Sequence, residues 1–266
     1  MFKLSKKPVN ISEALFECKR GGLTIRGTEY RPVGDKLPAA IVSHGFMAFQ
    51  DTVRHYAQAL AEMGYLSFCF DFCGGSVVKG KSDGKTTDMS VLTEVSDLEA
   101  VIAYVRTLPY ADGETILLMG CSQGGFVSGI TAAKPENGIS KLIMFYPALC
   151  IPDDARAGKM MFAKFDPDNI PEIISCGPMK LGRRYVSDVI NMNPYDELVG
   201  FSGDVLIVHG SRDNIVDTDY SQKAYDLFRT DSARRAELEI IEGGQHGFSK
   251  KHDITAIDFI RKFLEK

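Results

Sequence analysis

One stretch, Leu118-Met119-Gly120-Cys121-Ser122-Gln123-Gly124-Gly125, constrains this chain more than any other, because in it an apolar run stops at a serine held between glycines. The spacing Gly-x-Ser-x-Gly is that of a nucleophile elbow, a sharp strand-to-helix turn that exposes a hydroxyl at the strand's carboxyl end. Thr115 to Met119 has the β-branched and aliphatic content of a buried strand, and Phe126 to Ala133 can continue as a helix. Side chains at 120 and 124 would collide in so tight a bend, and Gly125 lets the helix pack close to the sheet. The helix also turns its unpaired N–H groups and positive dipole end toward the serine. Taken alone, the motif reads equally as a glycine-rich turn with a chance serine.

The flanking sequence alternates strand and helix. Ala14 to Arg20 and Leu23 to Arg31 read as a hairpin about Gly21-Gly22. Ala39 to Ser43 reads as a buried strand running into His44-Gly45-Phe46, followed by a helix from Asp51, suited as its cap, to Met63. Tyr65 to Phe72 alternates Phe68, Phe70 and Phe72 against Cys69 and Asp71, as a strand does, and a polar loop then runs to about Asp88. Val91 to Leu108 is a long helix, and Lys141 to Tyr146 a buried strand stopped by Pro147. From there to about Gly203, prolines punctuate a segment of weak periodicity, read as an insertion. Strands at Val205 to Val208 and Ala236 to Ile241, with helices at Tyr220 to Phe228 and Ile254 to Leu264, resume the alternation. The expected architecture is α/β: a mostly parallel, doubly wound sheet covered on both faces. Residues 1–147 and 204–266 would form its core and 148–203 an inserted cap.

A serine hydroxyl is a poor nucleophile, so Ser122 needs a base in reach and an acid to orient that base. Asp213 follows one predicted strand, in His209-Gly210-Ser211-Arg212-Asp213, and His246 follows the next, in Gly243-Gly244-Gln245-His246-Gly247-Phe248. Adjacent ends of parallel strands converge, and the order Ser, Asp, His is that of the α/β-hydrolase fold. Asp217 competes as the acid but lies farther from its strand. His252 competes as the base but sits beside the last helix, where a solvated histidine is ordinary. His55 falls on a surface helix, and His44 and His209 read as packing residues at strand ends. The backbone N–H groups of Phe46 and Gln123 occupy the two oxyanion-hole positions of such a fold.

Composition narrows the classes. The 266 residues suit one large domain, formal charge is −4 with basic residues scattered among acidic ones, and no apolar run approaches a bilayer's thickness. Neither a nucleic acid nor a membrane is expected as a partner, and a homodimer is left open. Lys3, Lys6 and Lys7 precede no long apolar run, so the start does not read as a secretory signal and a cytoplasmic location is expected. The six cysteines have no CxxC or zinc spacing, so buried thiols, no metal and no cofactor are expected. Cys121, beside the serine, reads as a small buried hydrophobe.

On His44-Gly45-Phe46, Asp71-Phe72 with Gly80 to Gly84, Gly120 to Gly125, Pro147-Ala148, His209 to Asp213 and Gly243 to Phe248, the chain resembles the cinnamoyl or feruloyl esterases of the α/β-hydrolase superfamily over nearly its whole length. The resemblance implies a serine carboxylesterase acting on hydroxycinnamoyl, other aromatic or short acyl esters. Other serine hydrolases (peptidase, lipase-like or thioesterase) and a non-catalytic binding protein are the alternatives. It also implies that Asp154 and Tyr185 hold the phenolic hydroxyl of the acyl group, although the two read equally as a solvated aspartate and a packing tyrosine. Met160 and Met161 stand where the family usually has a glutamine, and the loop Gly74 to Lys79 looks longer than the family's.

Overall fold

In the computed structural model, residues 10–230 and 235–266 are described; Lys3, Lys6 and Lys7 lie outside them. An antiparallel hairpin of β1 (Ile11–Arg20) and β2 (Leu23–Pro32) turns at Gly21, whose φ of 56° would strain a side chain. β3 (Leu37–Ser43) leads to α1 (Arg54–Glu62) and β4 (Leu66–Phe70). Asp51 does not cap α1: the Asp71 carboxylate accepts the Gln50 N–H at 2.8 Å, which pulls residues 50–52 into a 3-10 turn. The helix therefore starts three residues later than expected, and Asp51 pairs with Arg54 at 2.7 Å.

A loop leads to α2 (Val91–Thr107), capped reciprocally by Ser90 and Thr93, then β5 (Ala111–Cys121), α3 (Gln123–Ala133) and β6 (Ile139–Phe145). Residues 148–203 carry only short elements: α4 (Ile151–Arg156), the hairpin β7 (Lys159–Met160) and β8 (Ala163–Lys164), the hairpin β9 (Ile173–Cys176) and β10 (Met179–Gly182), and α5 (Arg183–Ser187). Such brief elements leave no long periodic signal in sequence. β11 (Asp204–Gly210), α6 (Thr218–Phe228), β12 (Ala236–Ile241) and α7 (Lys250–Leu264) complete the chain.

Among the described residues eight strands form one sheet in the order β1-β2-β4-β3-β5-β6-β11-β12. The hairpin joins it antiparallel through β2, and β4 through β12 run parallel. Two-residue alternation divides the side chains between its faces. Ile116, Leu118, Phe68 and Phe70 pack under α2 and α3, with α6 and the 148–203 segment on the same side. Leu117, Met119 and Cys69 pack under α1 and α7. This is the α/β-hydrolase fold. The carboxyl ends of β3, β5, β6, β11 and β12 meet at one edge, where this architecture collects functional groups. Among the described residues no helix is long and apolar enough to cross a membrane.

Candidate active site

Ser122 stands between β5 and α3 with φ 54° and ψ −121°, a left-handed conformation that a non-glycine residue keeps only under constraint. The constraint is close packing. A Cβ on Gly120 would meet Gly124 O at 2.0 Å, and one on Gly124 would meet His44 O at 2.3 Å. The serine is thus fixed at the strand end with its hydroxyl turned toward the β12–α7 loop.

That loop brings His246, whose Nε2 lies 2.9 Å from Ser122 Oγ, while Nδ1 lies 2.7 Å from Asp213 Oδ2. Positive φ at Gly243 and Gly247 lets the loop fold inward. With the Nδ1 proton given to Asp213, Nε2 is left to accept from the serine hydroxyl. Asp213 is buried, and its other oxygen accepts the N–H groups of Ile215 (2.9 Å) and Val216 (3.0 Å). Burial alone would raise its pKa. Hydrogen bonds from His209, His246 and Val216 more than offset that and hold the carboxyl well below the usual range.

His209, read from sequence as packing, is fully buried and touches this carboxylate. Its Nε2 faces Asp213 Oδ2 and Val216 O, both at 3.1 Å, so it carries the proton, and the Ser221 hydroxyl donates to Nδ1 at 2.6 Å. Asp217 caps α6 through the Asp219 N–H at 2.9 Å, and His252 lies in α7; neither joins the cluster. Cys121 is 4% exposed, and burial pushes its thiol up to about 12, far from a thiolate at neutral pH.

Two peptide planes beside Ser122 are pinned. The Ser122 carbonyl accepts from Gly125, Phe126 and Ala148 N–H groups, which fixes the plane carrying the Gln123 N–H. The buried His44 ring accepts the Phe72 N–H at Nε2, so Nδ1 donates to Gly45 O at 2.8 Å, fixing the plane that carries the Phe46 N–H. Burial lowers the His44 pKa and keeps the ring neutral for this double role. Among the described residues no hydrogen bond occupies the Phe46 or Gln123 N–H. Sequence reading passed over His44 and also over Glu94, whose buried carboxyl accepts Gln123 Nε2 at 2.7 Å. Burial raises the Glu94 pKa well above that of an ordinary carboxyl.

A cavity of about 460 Å³ opens from Ser122 and His246 toward residues 148–162, in the size range of small-molecule sites. Ile151, Met160 and Phe162 line its apolar side. Asp154 lines it, paired with Lys159 at 3.0 Å, and that bond raises the Lys159 pKa. Tyr185 does not reach it. The side chain is fully buried, its ring centroid 5.7 Å from that of Phe46, and its hydroxyl donates to Gln123 Oε1. The resemblance implied that Tyr185 contacts the acyl group; here α5 buries it and directs its hydroxyl to Gln123 instead. Among the described residues no group of three or more His, Cys, Asp or Glu is placed to hold a metal ion.

Comparisons with known proteins agree with this architecture. The family model described as "Serine aminopeptidase, S33" (Hydrolase_4) matches residues 36–193, a stretch that holds Ser122 but ends before Asp213 and His246. A protein of Synechocystis sp. named "Putative carboxymethylenebutenolidase" is 28% identical over 151 residues, 53% of this chain. The match spans 61% of that protein's length. The structure titled "Ferulic Acid bound to Est1E from Butyrivibrio proteoclasticus" superposes with TM-score 0.84 and 27% identity, covering 94% of this chain and 100% of that one. DcsB, solved in complex with its substrate analogue, shares the fold with TM-score 0.76 and 21% identity, over 96% of this chain and 98% of that one.

Proposed function

Because the chain belongs to the serine aminopeptidase S33 family of hydrolases and is similar over nearly its full length to a protein solved with ferulic acid bound, we propose that it is a serine carboxylesterase for esters of hydroxycinnamoyl and related aromatic or short acyl groups. Ser122 attacks the ester carbonyl while His246 takes its proton. His246 then returns that proton to the leaving alcohol as the acyl–oxygen bond breaks, and a water repeats the path to free the acid. Asp213 keeps the imidazole in the right tautomer and stabilises its charged form. The Phe46 and Gln123 N–H groups receive the oxyanion. Their peptide planes are already held, so little reorganisation opposes the developing charge.

The observation that carries this reading is the chain of contacts from Ser122 Oγ through His246 to Asp213, 2.9 and 2.7 Å long, at the mouth of a cavity of acyl-group size. Residues 148–203 act as a cap over a core of 1–147 and 204–266. Within the cap, Asp154 accepts a hydrogen bond from a phenolic hydroxyl, and the Lys159 ammonium 3.0 Å from Asp154 Oδ1 supports the charge of that carboxylate.

A panel of substrates tests it: hydroxycinnamate, cinnamate and short aliphatic methyl esters beside aminoacyl anilides. The highest kcat/KM is expected on the hydroxycinnamates. Activity confined to the aminoacyl substrates would move the chain to peptide chemistry.

A further inference from the structure

In the sheet, β6 lies between β5, which leads to Ser122, and β11, which leads to Asp213. No group of the proposed triad comes from β6 itself. Just past its end stands Tyr146 at φ 36°, in the left-handed region that a bulky side chain keeps only where its surroundings impose it. Hydrogen bonds impose it here. Phe145 O accepts the Ser122 N–H at 2.9 Å, the Ala148 N–H donates to Ser122 O at 3.0 Å, and the Tyr146 N–H donates to Val208 O at 2.7 Å. The backbone around Tyr146 is thus fastened to the serine turn and to β11, yet no step of the proposed reaction uses the residue.

The strained backbone sets the tyrosine ring, which is buried, against the loop that carries the base. Its centroid lies 4.8 Å from that of His246, with the planes at 60°, and 4.9 Å from that of Phe248, with the planes at 88°. Both are edge-to-face contacts. The β12–α7 loop therefore clasps Tyr146 through two residues of its own. It depends on such an anchor: Gly243 and Gly247 at positive φ leave it pliable, and among the described residues no backbone hydrogen bond ties residues 245–248 to the core. The bonds at His246 Nδ1 and Nε2 act in the plane of the imidazole, so its tilt out of that plane is left to packing.

We propose that Tyr146 is a positioning residue: its ring sets the tilt of His246, and with it the line along which the imidazole takes the Ser122 proton and hands it to the leaving oxygen. This rests on the reading of Ser122 and His246 as nucleophile and base. Substrate binding makes no use of the contact, so its loss belongs in kcat rather than in KM. The Tyr146 hydroxyl interacts instead with the Cys121 thiol, which lets mutation separate the hydroxyl from the ring.

Tyr146→Phe keeps the ring and gives up the hydroxyl, whereas Tyr146→Leu gives up the ring. On one aromatic ester the Leu variant should lose about ten- to a hundredfold in kcat, as a small misplacement of a catalytic group does, with KM little changed. The Phe variant should keep most of the wild-type kcat. Proton NMR adds a signature that a loss of stability alone would not move. The downfield Nδ1–H resonance of His246, sharp in the wild type and in Tyr146→Phe, should broaden or shift in folded Tyr146→Leu. If the Leu variant does not fold, Tyr146→Met fills the space without a ring and takes its place. Wild-type kcat or an unmoved resonance in the ringless variant, a loss carried by KM, or an equal loss in Tyr146→Phe would overturn the proposal while leaving the triad standing. A wild-type protein that cleaves no ester and takes no covalent label at Ser122 would defeat the Ser122 reading and this one with it.

Discussion

His209 and His246 meet on one oxygen: Asp213 Oδ2 takes Nδ1–H of His246 at 2.7 Å and Nε2–H of His209 at 3.1 Å. With two backbone N–H groups on Oδ1, the carboxylate has four donors and stays ionised although buried. Removing one of the two imidazoles should loosen the position of the other's partner. His209→Leu is expected to lower kcat about tenfold with little change in KM, since a charge-assisted bond acting through the transition state is worth that much. His209→Gln keeps a donor and should recover most of the loss. Steady-state kinetics on both variants check this; equal loss in the two would make His209 a packing residue, as its sequence context suggested.

Glu94 gives a pH signature. A carboxyl whose folded pKa is raised above its unfolded value of about 4.3 contributes fully below that value, and the contribution fades as pH rises through the folded pKa. Burial raises Glu94 in this way. Glu94→Gln keeps an acceptor for Gln123 Nε2 and removes the titration, so its Tm should stay near the wild type's at pH 4 and exceed it increasingly toward pH 8. Parallel Tm curves over that range would mean that Glu94 does not change protonation on folding.

Asp154 and Tyr185 now separate. A phenolic contact to Asp154 lies far from the scissile carbonyl and tightens little in the transition state, so its loss belongs mainly in KM. Asp154→Ala should lower kcat/KM roughly ten- to a hundredfold on a hydroxycinnamate ester and leave an unsubstituted cinnamate nearly unchanged. Tyr185→Phe removes a buried bond to Gln123, whose N–H is a proposed oxyanion donor, and should instead reduce kcat by a similar factor on every ester. Kinetics on the two esters distinguish the outcomes, and selectivity in Tyr185→Phe would return that residue to the substrate.

Much of this arrangement was legible in the sequence, for physical reasons that differ by residue. The Ser122 turn declared itself because a Cβ at 120 or 124 would fall 2.0 or 2.3 Å from a backbone oxygen, which leaves room only for glycine. Phe68 and Phe70 announced their strand face by strict alternation and share one side of the sheet, whereas Phe72, read as part of the same strand, lies past its end at Phe70 in the same core. Asp51 misled because the tie between Gln50 and Asp71, which delays the helix, joins residues twenty-one apart. Tyr185 misled for a related reason: its helix, Arg183–Ser187, is too short to show which face it buries. His44 and Glu94 were passed over because their partners, Phe72 and Gln123, are brought near by strand order rather than by neighbouring sequence. His209 was passed over although Asp213 follows four residues later, because the return of that loop onto the imidazole leaves no periodic signal.

Catalysis at this site, as proposed, begins with Ser122 as the attacking group. Its left-handed backbone and the 2.9 Å contact with His246 call for covalent capture by a fluorophosphonate, followed by intact-protein and peptide mass spectrometry. One adduct per chain is expected, on the peptide containing Ser122, and none in Ser122→Ala or after Asp213→Asn at wild-type rates. An adduct that persists in Ser122→Ala, or a folded wild-type chain that takes none, would contradict the mechanism.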